Sequence, residues 1–283
     1  ITFEFDYSET QTLNLLQSDT DGFTRYNAGQ TYLKACIEDH RQNDLDMSRI
    51  HAYCDCLSDL LNTSSLDHAF RAVLLSVPSL TECLHTQLPV HISDTFNSRE
   101  AILLEIIRYL EPCLLSLYTE LSSQLTNQHD AVSMAMRRLK NTCLIYLSRL
   151  PKHHHLCLSI LDSPACFTDE WAALRGLTTV SLKPYFDQIE RFKTKWQHEP
   201  LIIQKWMAVQ ALSQDKTCLE RVSQLEKDSL YQPHTPNFIR SLIGSFAQNM
   251  VHFHASDGSG YQFFAERILT VDAFNPTIAA RLS

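Results

Sequence analysis

His153, His154 and His155 form the most conspicuous group of potential ligands in the chain. Neighbouring residues on a helix point about 100° apart, so this run cannot converge on one metal ion and reads as a polar helix start. His51, Cys54 and Cys56 bring soft donors close together, with His51 and Cys54 one turn apart on a helix face. A structural zinc site pairs two such half-sites, and no Cys-x-x-Cys complements this one. The alternatives are a metal site and a helix with buried thiols. His198-Glu199-Pro200 lacks the second histidine of the His-Glu-x-x-His zinc-peptidase motif, and no Gly-x-Ser-x-Gly elbow is present. His254, Ser256 and Asp257 have the types of a catalytic relay, but they crowd one turn, whereas a relay converges from separate elements. Arg240 and Arg281 remain, two permanent cations inside otherwise apolar helical segments. Each is either a surface or ion-paired arginine, or a guanidinium fork facing a cavity, where it would bind a carboxylate.

The elements that must carry these groups are helices. Of 283 residues only 6 are glycine, about 2% against the usual ~7%. Glycine makes the positive-φ corners of hairpins and the close approach of phosphate-cradling loops, so a sheet-rich or nucleotide-binding domain is disfavoured. Neither a G-x-G-x-x-G nor a G-x-x-x-x-G-K-[ST] sequence occurs. With 24 basic and 32 acidic residues the net charge is −8. The densest basic cluster, Arg137, Arg138 and Lys140, reads as a solvated helix face, so no nucleic-acid partner is expected. No apolar run approaches the ~18 residues of a membrane span, and no signal peptide is recognisable at the start, so no membrane partner is expected either. Nine cysteines, scattered through apolar helical patterns as at Cys36, Cys83, Cys113, Cys143, Cys157 and Cys218, suit free buried thiols in a reducing cytoplasm.

Apolar residues recur at three- and four-residue spacings from Thr24 nearly to the end, predicting roughly a dozen helices joined by short connections. Ser79-Leu80-Thr81-Glu82 has capping-box spacing, and Asn275 followed by Pro276 has the form of an N-cap. Pro112 interrupts the longest periodic segment, 97–125, and predicts a kink or break near Leu110. Asp257-Gly258 predicts a tight turn, with Ser259 able to cap the helix that follows. No repeat of 33–47 residues is legible, so the expected architecture is all-α: an irregular superhelical stack of antiparallel helix pairs. Residues 1–7 alternate like one orphan β-strand.

The segments 236–246, 253–261 and 275–282, with Lys205-Trp206, Gln210-Ala211 and Phe23 to Gln30, resemble the C-terminal helical domain of bacterial-type aminopeptidase N, the zinc-dependent alanyl aminopeptidases. The resemblance runs over nearly the whole chain, dense in 236–282 and sparse in 40–170. It implies that residues 1–7 are the last strand of a preceding β-sandwich domain. It further implies that 8–283 is a C-terminal α-helical domain, truncated at its far end, that caps an active site and encloses a substrate cavity.

By the same resemblance, Arg240 and Arg281 face the catalytic domain near the site for the peptide's C-terminal side. Thr277 stands where family members often have glutamine. The catalytic His-Glu-x-x-His and its zinc belong to residues of the parent enzyme that are absent here, so this chain holds no metal and no catalytic residue. Its implied partners are the catalytic domain of the same polypeptide and peptide substrates, and the chain alone is expected to be inactive. The alternative is a free-standing helical scaffold that binds protein partners.

Overall fold

The computed structural model describes residues 7–85, 87–125, 128–179 and 181–283. Two compact units divide the chain, 1–172 and 173–283. Among the described residues the structure is helical throughout, with no strand. The strand expected over 1–7 lies, apart from Tyr7, outside the described residues, and Tyr7 itself is irregular.

The first unit contains α1 (Glu9–Ser18), α2 (Gly22–Arg41), α3 (Ser48–Asn62), α4 (His68–Leu74), α5 (Leu80–Leu84), α6 (Ile92–Gln124), α7 (Ala131–Leu147) and α8 (His154–Asp162). The helix α9 (Phe167–Thr178) carries the chain across the division. The periodic pattern missed α1, which buries only Thr12 and Leu16. Its start is closed by a capping box between Ser8 and Gln11. The box read from Ser79 and Glu82 forms as expected: Glu82 donates its N–H to Ser79 Oγ (3.2 Å), and Ser79 donates its own to Glu82 Oε2 (2.8 Å).

Pro112 does not break α6, a single helix of 33 residues. Ile102, Ile106 and Leu110 before the proline, and Leu114, Leu117 and Leu121 after it, are all buried in one core with Leu33, Ile37, Leu57 and Leu61. Burying each such side chain contributes roughly 1.5–3 kcal/mol, so the six together outweigh the ~3 kcal/mol cost of an internal proline. Pro112 and Arg108 are both exposed, so the carbonyl left without its donor can face water.

The expected basic face on α7 is corrected by tertiary packing. Only Arg138 is exposed. Arg137 is buried and donates to the Gln128 carbonyl (2.6 Å). Lys140, 6% exposed, pairs with the equally buried Asp169 at 2.7 Å, and Asn141 donates to the other carboxylate oxygen (3.0 Å).

The second unit contains α10 (Phe186–Trp196), α11 (Pro200–Ala211), α12 (Cys218–Leu225), α13 (Pro236–Ile239), α14 (Ser245–Ala247), α15 (Met250–Phe253), α16 (Ser259–Asp272) and α17 (Pro276–Leu282). Trp206, Phe238 and Phe246 are its largest fully enclosed side chains. Asn249 ties the end of α11 to the start of α12, its amide donating to the carbonyls of Ala211 (3.1 Å) and Ser213 (2.9 Å) and to Cys218 Sγ (3.5 Å). All nine cysteines are free, and six are buried. Burial pushes the thiols of Cys36, Cys143, Cys157 and Cys218 up to about 12.

Candidate functional site

The sequence predicts one helix opened by Thr235-Pro236 and running through Ile239, Leu242, Ile243 and Phe246, and Pro236 duly occupies its first turn. The helix is nevertheless interrupted. Residues Arg240–Gly244 form a π turn, in which the Ser245 N–H donates to the Arg240 carbonyl. Such one-turn expansions are frequent at functional sites, and they shift which residues face outward. Here Phe238, Ile239, Leu242, Ile243 and Phe246 all turn inward, leaving Arg240 exposed on the other side. Arg240 Nη1 lies 3.4 Å from Asn237 Oδ1, its one hydrogen bond among the described residues.

The second expected arginine arrives on α17. Asn275 caps this helix as read from sequence, accepting from the Ile278 N–H (3.1 Å), and Pro276 opens it. Ile278 and Ala279 are buried, which leaves Arg281 exposed in the last turn. Gly244 marks where the two segments meet. A Cβ placed on Gly244 would lie 3.7 Å from Leu282 Cδ2 and 3.8 Å from Arg240 Cβ. Leu282, next to Arg281 in sequence, therefore packs over the same glycine that follows Arg240 by one turn. Among the described residues neither arginine has a carboxylate partner. The second unit is also mildly basic, with 12 Lys and Arg against 10 Asp and Glu, whereas the first holds 12 against 22. Two uncommitted guanidinium groups on adjoining turns of a basic unit suit recognition of a carboxylate.

The other sequence candidates disperse. His153 faces Glu111 Oε1 (2.8 Å), His154 the Ser148 carbonyl (2.9 Å) and His155 the Lys152 carbonyl (2.8 Å). His51 bonds Glu105 (2.9 Å) and stacks on Tyr109, while Cys54 is fully buried. His254 bonds the Tyr261 hydroxyl, and Asp257 accepts instead from the Ser259 N–H (2.9 Å), so no relay assembles. Asp257 therefore stabilises the start of α16, in place of the capping expected from Ser259, and Gly258 takes the left-handed conformation there (φ +74°). Among the described residues no three His, Cys, Asp or Glu side chains are grouped to hold a metal ion.

Sequence reasoning singled out neither Asn237 nor the π turn. The signals that pointed to this stretch were Arg240 itself and the family resemblance of residues 236–246, which includes Gly244.

The helical architecture and this C-terminal arrangement define an all-α domain of stacked helices. The chain belongs to the family described as "Domain of unknown function (DUF3458_C) ARM repeats", which it matches over residues 9–283. It is a helical domain of the kind found in the C-terminal part of bacterial aminopeptidase N. It is 32% identical over 271 residues to aminopeptidase N of Caulobacter vibrioides, covering 95% of this chain and 31% of that protein. It is 30% identical over 293 residues to aminopeptidase N of Escherichia coli, covering 100% and 33%. The chain thus spans about a third of the length of the curated relatives it matches. Among solved structures, it superimposes with a TM-score of 0.90 and 25% identity on aminopeptidase A of Legionella pneumophila in complex with aspartic acid, covering 99% of this chain and 34% of that one. Repeats had not been legible in the sequence. Helices here range from 3 to 33 residues, and so wide a spread blurs any fixed period.

Proposed function

We propose that this chain is the C-terminal domain of a zinc metallo-aminopeptidase, a cytoplasmic enzyme that removes N-terminal amino acids from peptides. In this reading residues 8–283 cap the active site and line the substrate cavity, residues 1–7 end a preceding β-sandwich domain, and the catalytic centre and zinc lie outside the chain. Arg240 and Arg281 hold the carboxylate at the peptide's far end, orienting the substrate while the chemistry proceeds elsewhere. The observation that carries this role is the meeting of the two arginine-bearing segments at Gly244, with neither guanidinium spent on a carboxylate of the described residues.

The test uses the full-length polypeptide. Arg240→Ala and Arg281→Ala should each raise KM for dipeptides with a free C-terminal carboxylate about tenfold, the range of one charge-assisted hydrogen bond. KM for the corresponding C-terminal amides should stay unchanged. Equal effects on acids and amides overturn the carboxylate role. The 283-residue chain alone should neither bind stoichiometric zinc nor hydrolyse an alanyl anilide, and turnover by the purified chain overturns the assignment of the catalytic centre to other residues.

A further inference from the structure

In the first unit a cleft of about 400 Å³ lies between the C-terminal half of α2 and the segment 87–91. Its size falls at the small end of ligand pockets, which span roughly 300–1,000 Å³. Lys34, Glu38, Arg41 and Gln42 line one side, at i, i+4, i+7 and i+8 of α2, and so share one helix face. The single acid among the lining residues is already committed. Glu38 accepts from Arg41 Nε (2.9 Å), from Arg41 Nη2, from Gln42 Nε2 (2.6 Å) and from Gln87 Nε2 (3.0 Å). Gln87 is itself fixed, its Oε1 accepting from Thr95 Oγ1 (3.0 Å). These donors, Arg41 first among them, hold the Glu38 carboxyl at about 2.

The cations of the cleft are not used up in the same way. Lys34 has no hydrogen bond or ion pair to any described residue. Arg41 spends Nε and Nη2 on Glu38 and leaves Nη1 available. His91 adds an imidazole to the lining, its Nδ1 3.9 Å from Asp94 Oδ2. Among the lining residues Lys34 and Arg41 outnumber the one acid, Glu38, and the carboxylates of Glu82 and Asp94 lie near enough to act on Lys34 and Arg41 respectively. Leu88 adds the opposite character, an isobutyl group that is 96% exposed at the cleft wall beside Pro89. An exposed leucine beside Lys34 and the free edge of Arg41 suits a ligand with a charged end and an apolar end.

We propose that this cleft binds a small carboxylate-bearing ligand that also carries an apolar group, of amino-acid to dipeptide size. Lys34 and the free edge of Arg41 take the carboxylate, Glu38 and Gln87 hold Arg41 and the 87–91 segment in place, and Leu88 covers the apolar part. The site is built from residues of the first unit alone, and it does not depend on the aminopeptidase reading.

The test is a methyl-NMR titration of the 283-residue chain, labelled at leucine methyls, with N-acetyl-L-leucine and, in parallel, N-acetyl-L-leucinamide. The acid should give saturable shifts at the Leu88 methyls, and the amide should bind at least about tenfold more weakly. Lys34→Met, a change at a half-buried surface position, should weaken the acid about tenfold while leaving the other methyl resonances in place. Absence of a saturable Leu88 response to the acid, an equal response to the amide, or undiminished binding by Lys34→Met each overturns the proposal.

Discussion

Gly260 lies directly against the main chain of Phe253: a Cβ on Gly260 would sit 2.3 Å from the Phe253 carbonyl oxygen and 2.7 Å from that of His252. This contact seats the first turn of α16 on the end of α15, where Phe253, Tyr261 and Phe264 pack edge-on. The obstacle is backbone, which cannot rotate aside as a side chain can. Gly260→Ala should therefore destabilise the chain by about 2–4 kcal/mol, read as a lower urea midpoint. Gly244→Ala provides the contrast, since its new Cβ meets Leu282 and Arg240 at ordinary contact distances. That variant should be neutral or stabilising by up to about 1 kcal/mol.

The Lys140–Asp169 pair predicts a large single-mutant penalty and a small double-mutant one. Both side chains are more than nine-tenths buried. Lys140→Met leaves the Asp169 carboxylate buried with Asn141 as its remaining partner of the trio, at a cost of about 3–5 kcal/mol. Combining it with Asp169→Leu removes the stranded charge and should recover most of that loss. A double-mutant cycle by urea denaturation measures both.

Acid should weaken the fold through two carboxylates of depressed pKa. Glu38 falls from an ordinary 4.5 to about 2, chiefly through Arg41. Burial of Asp215 pushes its carboxyl upward, but donors from Thr217, Leu182 and Ser181 outweigh this and bring it from 3.8 to about 2. Between about pH 4.5 and 2 the unfolded chain binds protons that the folded chain does not. Their contribution is thus complete above about pH 5 and is lost as pH falls toward 2. Urea midpoints taken from pH 6 to 3 should decline, and Glu38→Gln should flatten part of the slope.

The thiols should divide by depth. Cys36, Cys54, Cys143, Cys157 and Cys218 are fully buried, with thiols pushed upward by burial. Cys56, Cys113 and Cys166 are half-buried. Brief iodoacetamide treatment of the native chain followed by peptide mass spectrometry should label the second group first, because alkylation requires a thiolate within reach of the reagent. Labelling of Cys54 at the rate of Cys56 would contradict this order.

What the sequence determined by itself was local. Apolar spacing named most of the helices, Ser79 with Glu82 and Asn275 with Pro276 named two starts, and Asp257-Gly258 named a turn, because each depends on residues within one or two turns of one another. Arg240 and Arg281 were legible as charges in apolar segments for the same reason. Tertiary structure decided the rest. Pro112 stays inside α6 because a core drawn from α2 and α3 holds both halves of that helix. Lys140 leaves its expected solvated face because Asp169, 29 residues onward, supplies the opposite charge inside. The π turn at 240–244 is not legible in the apolar spacing, which is that of an ordinary α-helix, and Leu282, 38 positions from Gly244, packs over it beside Arg240. Short-range patterns encode which elements form, whereas burial and pairing are set by residues far apart in the chain, and only the packed fold brings those together.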